Sequence, residues 1–265
     1  MEEGSNVTGA FEGWFQNADG TYSFLVGYFN RNTKQALDIP LGPDNQIQPG
    51  GPDYGQPTHF GPGRGWGVFT VTVPKDFGQK KLTWTLQANG KPTTIKLWLN
   101  PDYEISPFLS AADVGPDADT PPTLRFQDFS EKGPMVQGPK ELTVSKTATV
   151  KDPLPLTVWV SDDEKWFSNS GAKPRNLSPI PVTITWTKYR GPGTVTFEKE
   201  KPVAEKLPAG DSKFPFNGKA TTTARFSEPG EYELHVTIND YSGEGGGGGF
   251  QCCWTNGIVK VSVKP

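Results

Sequence analysis

The stretch Thr221–Phe226 (TTTARF), Ser227–Glu231 (SEPGE) and Tyr232–Asn239 (YELHVTIN) reads as a strand, a tight corner and a second strand. Thr, Val, Ile and aromatic residues alternate with polar ones at period two, and a Pro-Gly pair separates the runs. A third run, Ile258–Val263, has the same alternation. Working back toward the N-terminus, Glu141–Val150, Leu154–Val160, Val182–Lys188 and Thr194–Glu198 complete a set of seven short strands with turn signals between them. That spacing predicts an antiparallel β-sandwich.

The first half repeats the pattern less regularly. Phe11–Gln16 and Thr21–Asn30 flank Asn17-Ala18-Asp19-Gly20, a hairpin with Asp-Gly at its turn. Leu41–Gly65 reads as one long Gly/Pro-rich loop, and Gly67–Val73, Lys80–Gln87 and Thr93–Leu99 read as strands. The two halves end alike: strand, turn, strand, loop, strand. The expectation is all-β, two tandem Ig-like antiparallel β-sandwich domains with long Gly/Pro-rich loops. Residues 1–105 form the first domain and 139–265 the second. Between them, 106–138 is broken by prolines into a linker or a packed extended segment.

Composition excludes several classes. Glycine and proline make up about a fifth of the 265 residues, above average but short of a disordered or collagen-like chain. Aromatics reach 12%, with eight tryptophans, which supplies the burial that folding needs. The net charge of −3 is spread along the chain without a basic stripe, so nucleic acid is not an expected partner. No apolar run is long enough to span a bilayer. Met1-Glu2-Glu3-Gly4-Ser5 lacks an apolar core, so no signal peptide is read there.

Two separated motifs carry a resemblance. Trp186-Thr187-Lys188-Tyr189-Arg190-Gly191-Pro192-Gly193-Thr194-Val195-Thr196-Phe197 resembles the third-to-fourth strand segment of PKD (polycystic kidney disease-like) modules. Ala220 to Leu234 resembles their Thr-rich strand, Pro-Gly corner and Tyr-initiated strand. The resemblance covers Pro139 to Pro265 and departs from the family at the last loop, which is usually short. It implies an Ig-like, mostly bacterial extracellular module that binds or spaces. Trp186 is then the aromatic buried between the sheets, and Tyr232 ties the corner through its hydroxyl. The first half resembles no family.

That last loop, Gly243 to Gly257, holds five consecutive glycines and Cys252 and Cys253, the only cysteines in the chain. Loops of this length on a regular scaffold often carry function. The pair can form a ring between neighbours, stay as two thiols, or bond to another chain. We expect the ring, a vicinal disulfide in an oxidising compartment, inside an ordered loop where Phe250, Cys252, Cys253 and Trp254 make the binding contacts. A soft-metal site has no histidine close by to complete it.

Other candidates are weaker in pattern. Asp162, Asp163, Glu164 and Asp240 stand at strand ends, where carboxylates can collect calcium or remain solvated. Trp14, Tyr28, Tyr54, Phe60 and Trp66 are candidates for stacking on sugar rings, against the ordinary fate of core packing. His235 reads as an outward-facing strand residue. No nucleophile elbow or metal-spaced histidine cluster is present. The function expected is a non-catalytic extracellular or cell-surface subunit, structural, adhesive or assembling, working through other protein subunits or self-assembly. The alternatives are a carbohydrate-binding accessory module of a secreted enzyme system, and a redox or hydrolytic enzyme using the Cys252–Cys253 loop or a carboxylate pair. No cofactor is expected; calcium at those strand-end carboxylates is the alternative to their staying solvated.

Overall fold

A computed structural model describes residues 1–108, 118–165, 178–208, 210–211, 213–240 and 251–265. Apart from one short 3-10 turn, Pro101–Tyr103, every regular element among them is a strand. The chain separates into two compact units, Met1–Ile105 and Ser106–Pro265.

The first unit holds β1 (Val7–Gln16), β2 (Tyr22–Asn30), β3 (Leu37–Asp38), β4 (Asn45–Gln48), β5 (His59–Phe60), β6 (Gly63–Val73), β7 (Leu82–Ala88) and β8 (Lys91–Leu97). Asp-Gly turns the first hairpin as expected: Gly20 has φ 85°, and its N–H donates to Asn17 O at 2.9 Å. One sheet runs β1-β2-β6 and another β4-β7-β8, with β3 and β5 as a small pair. Phe24, Val26, Phe69 and Val71 bury their side chains, as do Ile47, Trp84 and Leu86. Phe69 meets Trp84 edge-on at 5.3 Å between the two sheets.

The expected long loop at Leu41–Gly65 needs correction, since it contains β4, β5 and the start of β6. Its order comes from one buried side chain. Asn45 Nδ2 donates to Ile39 O and Pro57 O, and Asn45 Oδ1 accepts from Trp84 Nε1 at 3.0 Å. Three satisfied bonds at a fully buried amide fix the irregular backbone around it.

The second unit adds β9 (Thr123–Arg125), β10 (Val136–Gln137), β11 (Glu141–Thr149), β12 (Leu154–Asp162), β13 (Thr183–Arg190), β14 (Val195–Phe197), β15 (Glu205–Lys206), β16 (Phe216–Phe226), β17 (Gly230–Asn239) and β18 (Trp254–Lys264). One sheet is ordered β10-β9-β12-β16-β14, with β15 also on β16, and the other β11-β18-β17-β13. They enclose one apolar core that includes Leu156, Val158, Val160, Trp186, Phe216, Leu234, Val236, Ile238, Val259 and Val261. The Pro-rich segment supplies β9 and β10, and Thr123 and Leu124 pair with Ser161 and Val160 of β12. The sheet is not wholly antiparallel, because β11 pairs with β18 in parallel from Glu141–Asn256 to Thr149–Lys264. Period-two alternation fixes which face a residue occupies and leaves strand direction open.

The corner that set the fold is built as its sequence suggests. Tyr232 is buried, its hydroxyl donates to Glu228 O at 2.8 Å, and it accepts from Gly193 N–H at 3.1 Å. Trp186 is 1% exposed within the core. The shared ending of the two halves has a topological counterpart: β6 and β16 each lie in one sheet, and β7-β8 and β17-β18 pair in the other.

Candidate functional site

Two places in the molecule combine chemistry with construction. In the second unit, the inward row of β12 is Leu156, Val158, Val160 and then Asp162. The inward row of β17 is Leu234, Val236, Ile238, and the next position on that face is Asp240. Both rows end at the same end of the sandwich. Thr255, at the start of β18, donates to Pro122 O just ahead of β9, and Asp240 N–H reaches Cys253 O at 3.4 Å.

Cys252 and Cys253 form a vicinal disulfide across a cis peptide bond. Both are buried, and so is Trp254. The ring is therefore packed inside the end of the sandwich, not displayed as an apolar contact surface. It lies at the start of β18, where Asp240 N–H donates to Cys253 O and the Cys253 sulfur sits 3.8 Å from Asp119 O. Phe250 and the glycines of 243–249 lie outside the described residues.

The acidic candidates separate by their partners. Glu164 turns outward and sits 3.6 Å from Lys206 Nζ. Asp163 is engaged by Thr120, whose N–H and hydroxyl both donate to its Oδ2, and by Lys165 N–H on Oδ1. Asp162 is fully buried, and its Oδ1 accepts from Glu164 N–H at 2.8 Å. Burial pushes its carboxyl up to about 8, although the Glu164 N–H pulls the other way; Asp163, Asp119 and Glu164 add to the rise. Asp119, which the sequence reading did not select, is also fully buried. One carboxylate oxygen each from Asp119 and Asp240 and the Cys253 sulfur lie within 4.8 Å of one another. Asp119 stands among prolines some forty residues from Asp162, so no local spacing announces it.

The second place is in the first unit. Trp14 and Phe60 are buried, and Trp14 Nε1 donates to Asn100 O at 2.6 Å. Tyr28 packs edge-on against Phe60, and burial pushes its hydroxyl up to about 12. Tyr54 donates to Pro49 O. These four make no exposed aromatic row, because unit 1 uses them in its interior or ties them to its own backbone. Trp66 differs: it is 38% exposed, with Arg64 Cζ 4.1 Å from its ring centre. Arg64 Nη1 donates to Tyr28 O and Gly65 O, and Nη2 to Glu12 Oε1 at 2.6 Å. Glu12 Oε2 accepts from Gly67 N–H at 2.8 Å. Three hydrogen bonds from its terminal nitrogens hold the guanidinium, and its carbon lies over the indole.

His235 faces away from the core, as alternation requires, yet it is buried because Tyr189 stacks on it at 5.4 Å. No described helix is long and apolar enough to cross a membrane.

No protein-family model matches the chain, and no curated protein matches it. Among solved structures, the D00-D0 domain of intimin is similar over 96% of this chain and 98% of its own, at 13% identity and TM-score 0.26. CfaE, the adhesive subunit of the CFA/I fimbria of enterotoxigenic Escherichia coli, is similar over 96% and 78%, at 8% identity and TM-score 0.25. A protein of unknown function from Porphyromonas gingivalis is similar over 97% and 100%, at 8% identity and TM-score 0.25. Scores of this size leave the class to the sheets themselves, which make this an all-β chain of Ig-like sandwich type.

Proposed function

We propose that this chain is a non-catalytic extracellular structural, adhesive or assembly subunit that works through protein–protein contacts, with a PKD-like second unit. The observation that carries the reading is Trp66. An indole left 38% exposed and braced by an arginine that is itself bonded to Tyr28 O, Gly65 O and Glu12 has the make-up of an interface anchor: large, aromatic and already ordered before a partner arrives. The Cys252–Cys253 disulfide supports an oxidising compartment. The two PKD-like motifs support the same placement outside the cell.

Light scattering and negative-stain imaging of the purified chain test this reading. The expected result is concentration-dependent oligomers or filaments that Trp66→Ala abolishes while the circular dichroism spectrum is unchanged. A chain that stays monomeric at every concentration would count against assembly. The same indole gives a second reading, a carbohydrate-binding accessory module, since the free face of a braced indole can stack on a sugar ring. A glycan array with wild type and Trp66→Ala separates the two: sugar binding that the variant loses favours the second.

A further inference from the structure

We propose that Asn89 is a site of spontaneous deamidation, and that the acid formed there loosens the hold of the first unit on the segment Met1–Ser5. The chain holds three Asn-Gly pairs, Asn89-Gly90, Asn217-Gly218 and Asn256-Gly257. Glycine after asparagine lets the following backbone nitrogen approach the side-chain amide, because no Cβ stands in the way. The fold separates the three pairs. Asn89 and Gly90 are the two exposed central residues of the β7–β8 hairpin, with φ 50° and 71°, a type I′ turn, and the space beside Gly90 is open. Such a turn can open and swing Gly90 N toward Asn89 Cγ while the strands behind it stay paired. Asn217 and Asn256 instead lie in strands bonded to neighbours. Asn217 pairs with Ser161 of β12, Gly218 with Val160 of β12 and with Lys206 of β15, and Asn256 with Glu141 of β11 and Thr237 of β17. The Asn217 side chain is tied as well: Oδ1 accepts from Ser161 Oγ and Asp211 N–H, and Nδ2 donates to Asp211 O and Phe214 O. Asn256 is fully buried. Attack at either needs the ladder to break.

The reaction needs only water. Gly90 N bonds to Asn89 Cγ, the Cγ–Nδ2 bond breaks, and Nδ2 leaves as ammonia with the proton that Gly90 N gave up. Water then opens the five-membered imide at one of its two carbonyls, giving aspartate or isoaspartate, so the net change exchanges one ammonia for one water. The lost nitrogen has a structural task. Asn89 Nδ2 donates to Ser5 O at 2.8 Å, and Gln35 Oε1 lies 3.5 Å from the same nitrogen. Gln35 Oε1 in turn accepts from Gly4 N–H, and Lys91 Nζ donates to Gly4 O. A donor thus sits between two acceptors, and a carboxylate in its place donates nothing and faces both oxygens. Isoaspartate also routes the backbone through the side-chain methylene, which lengthens the turn. Asn32 bonds Ser5 independently, accepting from its N–H and donating to its carbonyl, so the segment is loosened and not detached.

The test ages the whole chain in mildly alkaline buffer, once native and once unfolded in urea, and maps the three Asn-Gly peptides by mass spectrometry. In the native chain Asn89 should become acid while Asn217 and Asn256 keep their amides; in urea all three should convert. Hydrogen exchange on the peptide that carries Gly4 and Ser5 should quicken on the order of tenfold in the aged native chain and in Asn89→Asp. Asn89→Gly, which tolerates positive φ and removes the reacting amide, should gain no acid on ageing and quicken exchange less than Asn89→Asp. If a variant fails to fold, judged by circular dichroism, the aged wild-type chain decides alone. An Asn89 that keeps its amide in the native chain while it converts in urea would overturn the proposal. So would conversion of Asn217 or Asn256 at the same rate as Asn89 in the native chain. Unchanged exchange at Gly4 and Ser5 after conversion would overturn the link to the segment.

Discussion

Arg64 lies with its guanidinium carbon 4.1 Å from the centre of the Trp66 ring, and the same guanidinium donates to the buried Glu12. The exposed indole thus rests on a cation anchored from below by a carboxylate that is 2% exposed. Removing the cation loosens the indole and strands the carboxylate together. Arg64→Ala should destabilise the first unit by about 3 kcal/mol, because Glu12 protonates sooner than stay charged alone, which caps the loss. Denaturant unfolding measures it, and a change below about 1 kcal/mol would mean that the pair contributes little.

Glu12 also sets a pH dependence. Burial pushes its carboxyl up to about 7, against the pull of Arg64 and the Gly67 N–H. An acid whose pKa is raised on folding holds its proton more tightly in the native state. Its contribution is therefore fully present below the unfolded value and is lost as pH rises through about 7. Glu12→Gln should flatten that fall, whose size is on the order of 3 kcal/mol. A melting-temperature profile from pH 4 to 8 that is identical for the two proteins would contradict this account.

His235 gives the opposite sign in the second unit. Burial holds its imidazole down near 4. A histidine kept neutral by folding binds fewer protons in the native state, so its contribution is full above the unfolded pKa near 6.5 and disappears as pH falls toward 4. His235→Phe keeps a ring against Tyr189 and removes the titration. The acid limb of the second unit's unfolding should move to lower pH in that variant. A limb that stays in place would assign acid sensitivity to other groups.

The second unit was readable in the sequence because its strands are seven or more residues long in most cases and alternate cleanly, and because Pro229-Gly230 marks the corner. Four parts were not readable, each for a physical reason. The short strands β4 and β5 carry too few residues to show a period, and buried Asn45 organises them through contacts remote in sequence. The parallel pairing of β11 with β18 is invisible because alternation does not encode direction. Aromatic identity alone could not separate exposed Trp66 from buried Trp14 and Phe60. Asp119 joins Asp240 only through folding, 121 positions along the chain being brought within 4.8 Å. The cysteine pair was the exception, since two adjacent cysteines with no others in the chain leave few arrangements.

Trp186 and Tyr232 allow packing and hydrogen bonding to be separated in one core. Both side chains are 1% exposed. Trp186 Nε1 has no hydrogen-bond partner among the described residues, whereas the Tyr232 hydroxyl makes two bonds, to Glu228 O and from Gly193 N–H. Trp186→Phe therefore loses volume and no bond, and Tyr232→Phe loses bonds and almost no volume. Trp186→Ala should cost about 3–5 kcal/mol through lost area and a cavity, with Trp186→Phe clearly milder. Tyr232→Phe should cost about 1–3 kcal/mol, because the Gly193 N–H and the Glu228 carbonyl both lose their partner. Chemical denaturation of the three variants checks the ordering. If Tyr232→Phe proved neutral, the corner would be held by ring packing against Phe226, 4.8 Å away, and not by its hydroxyl.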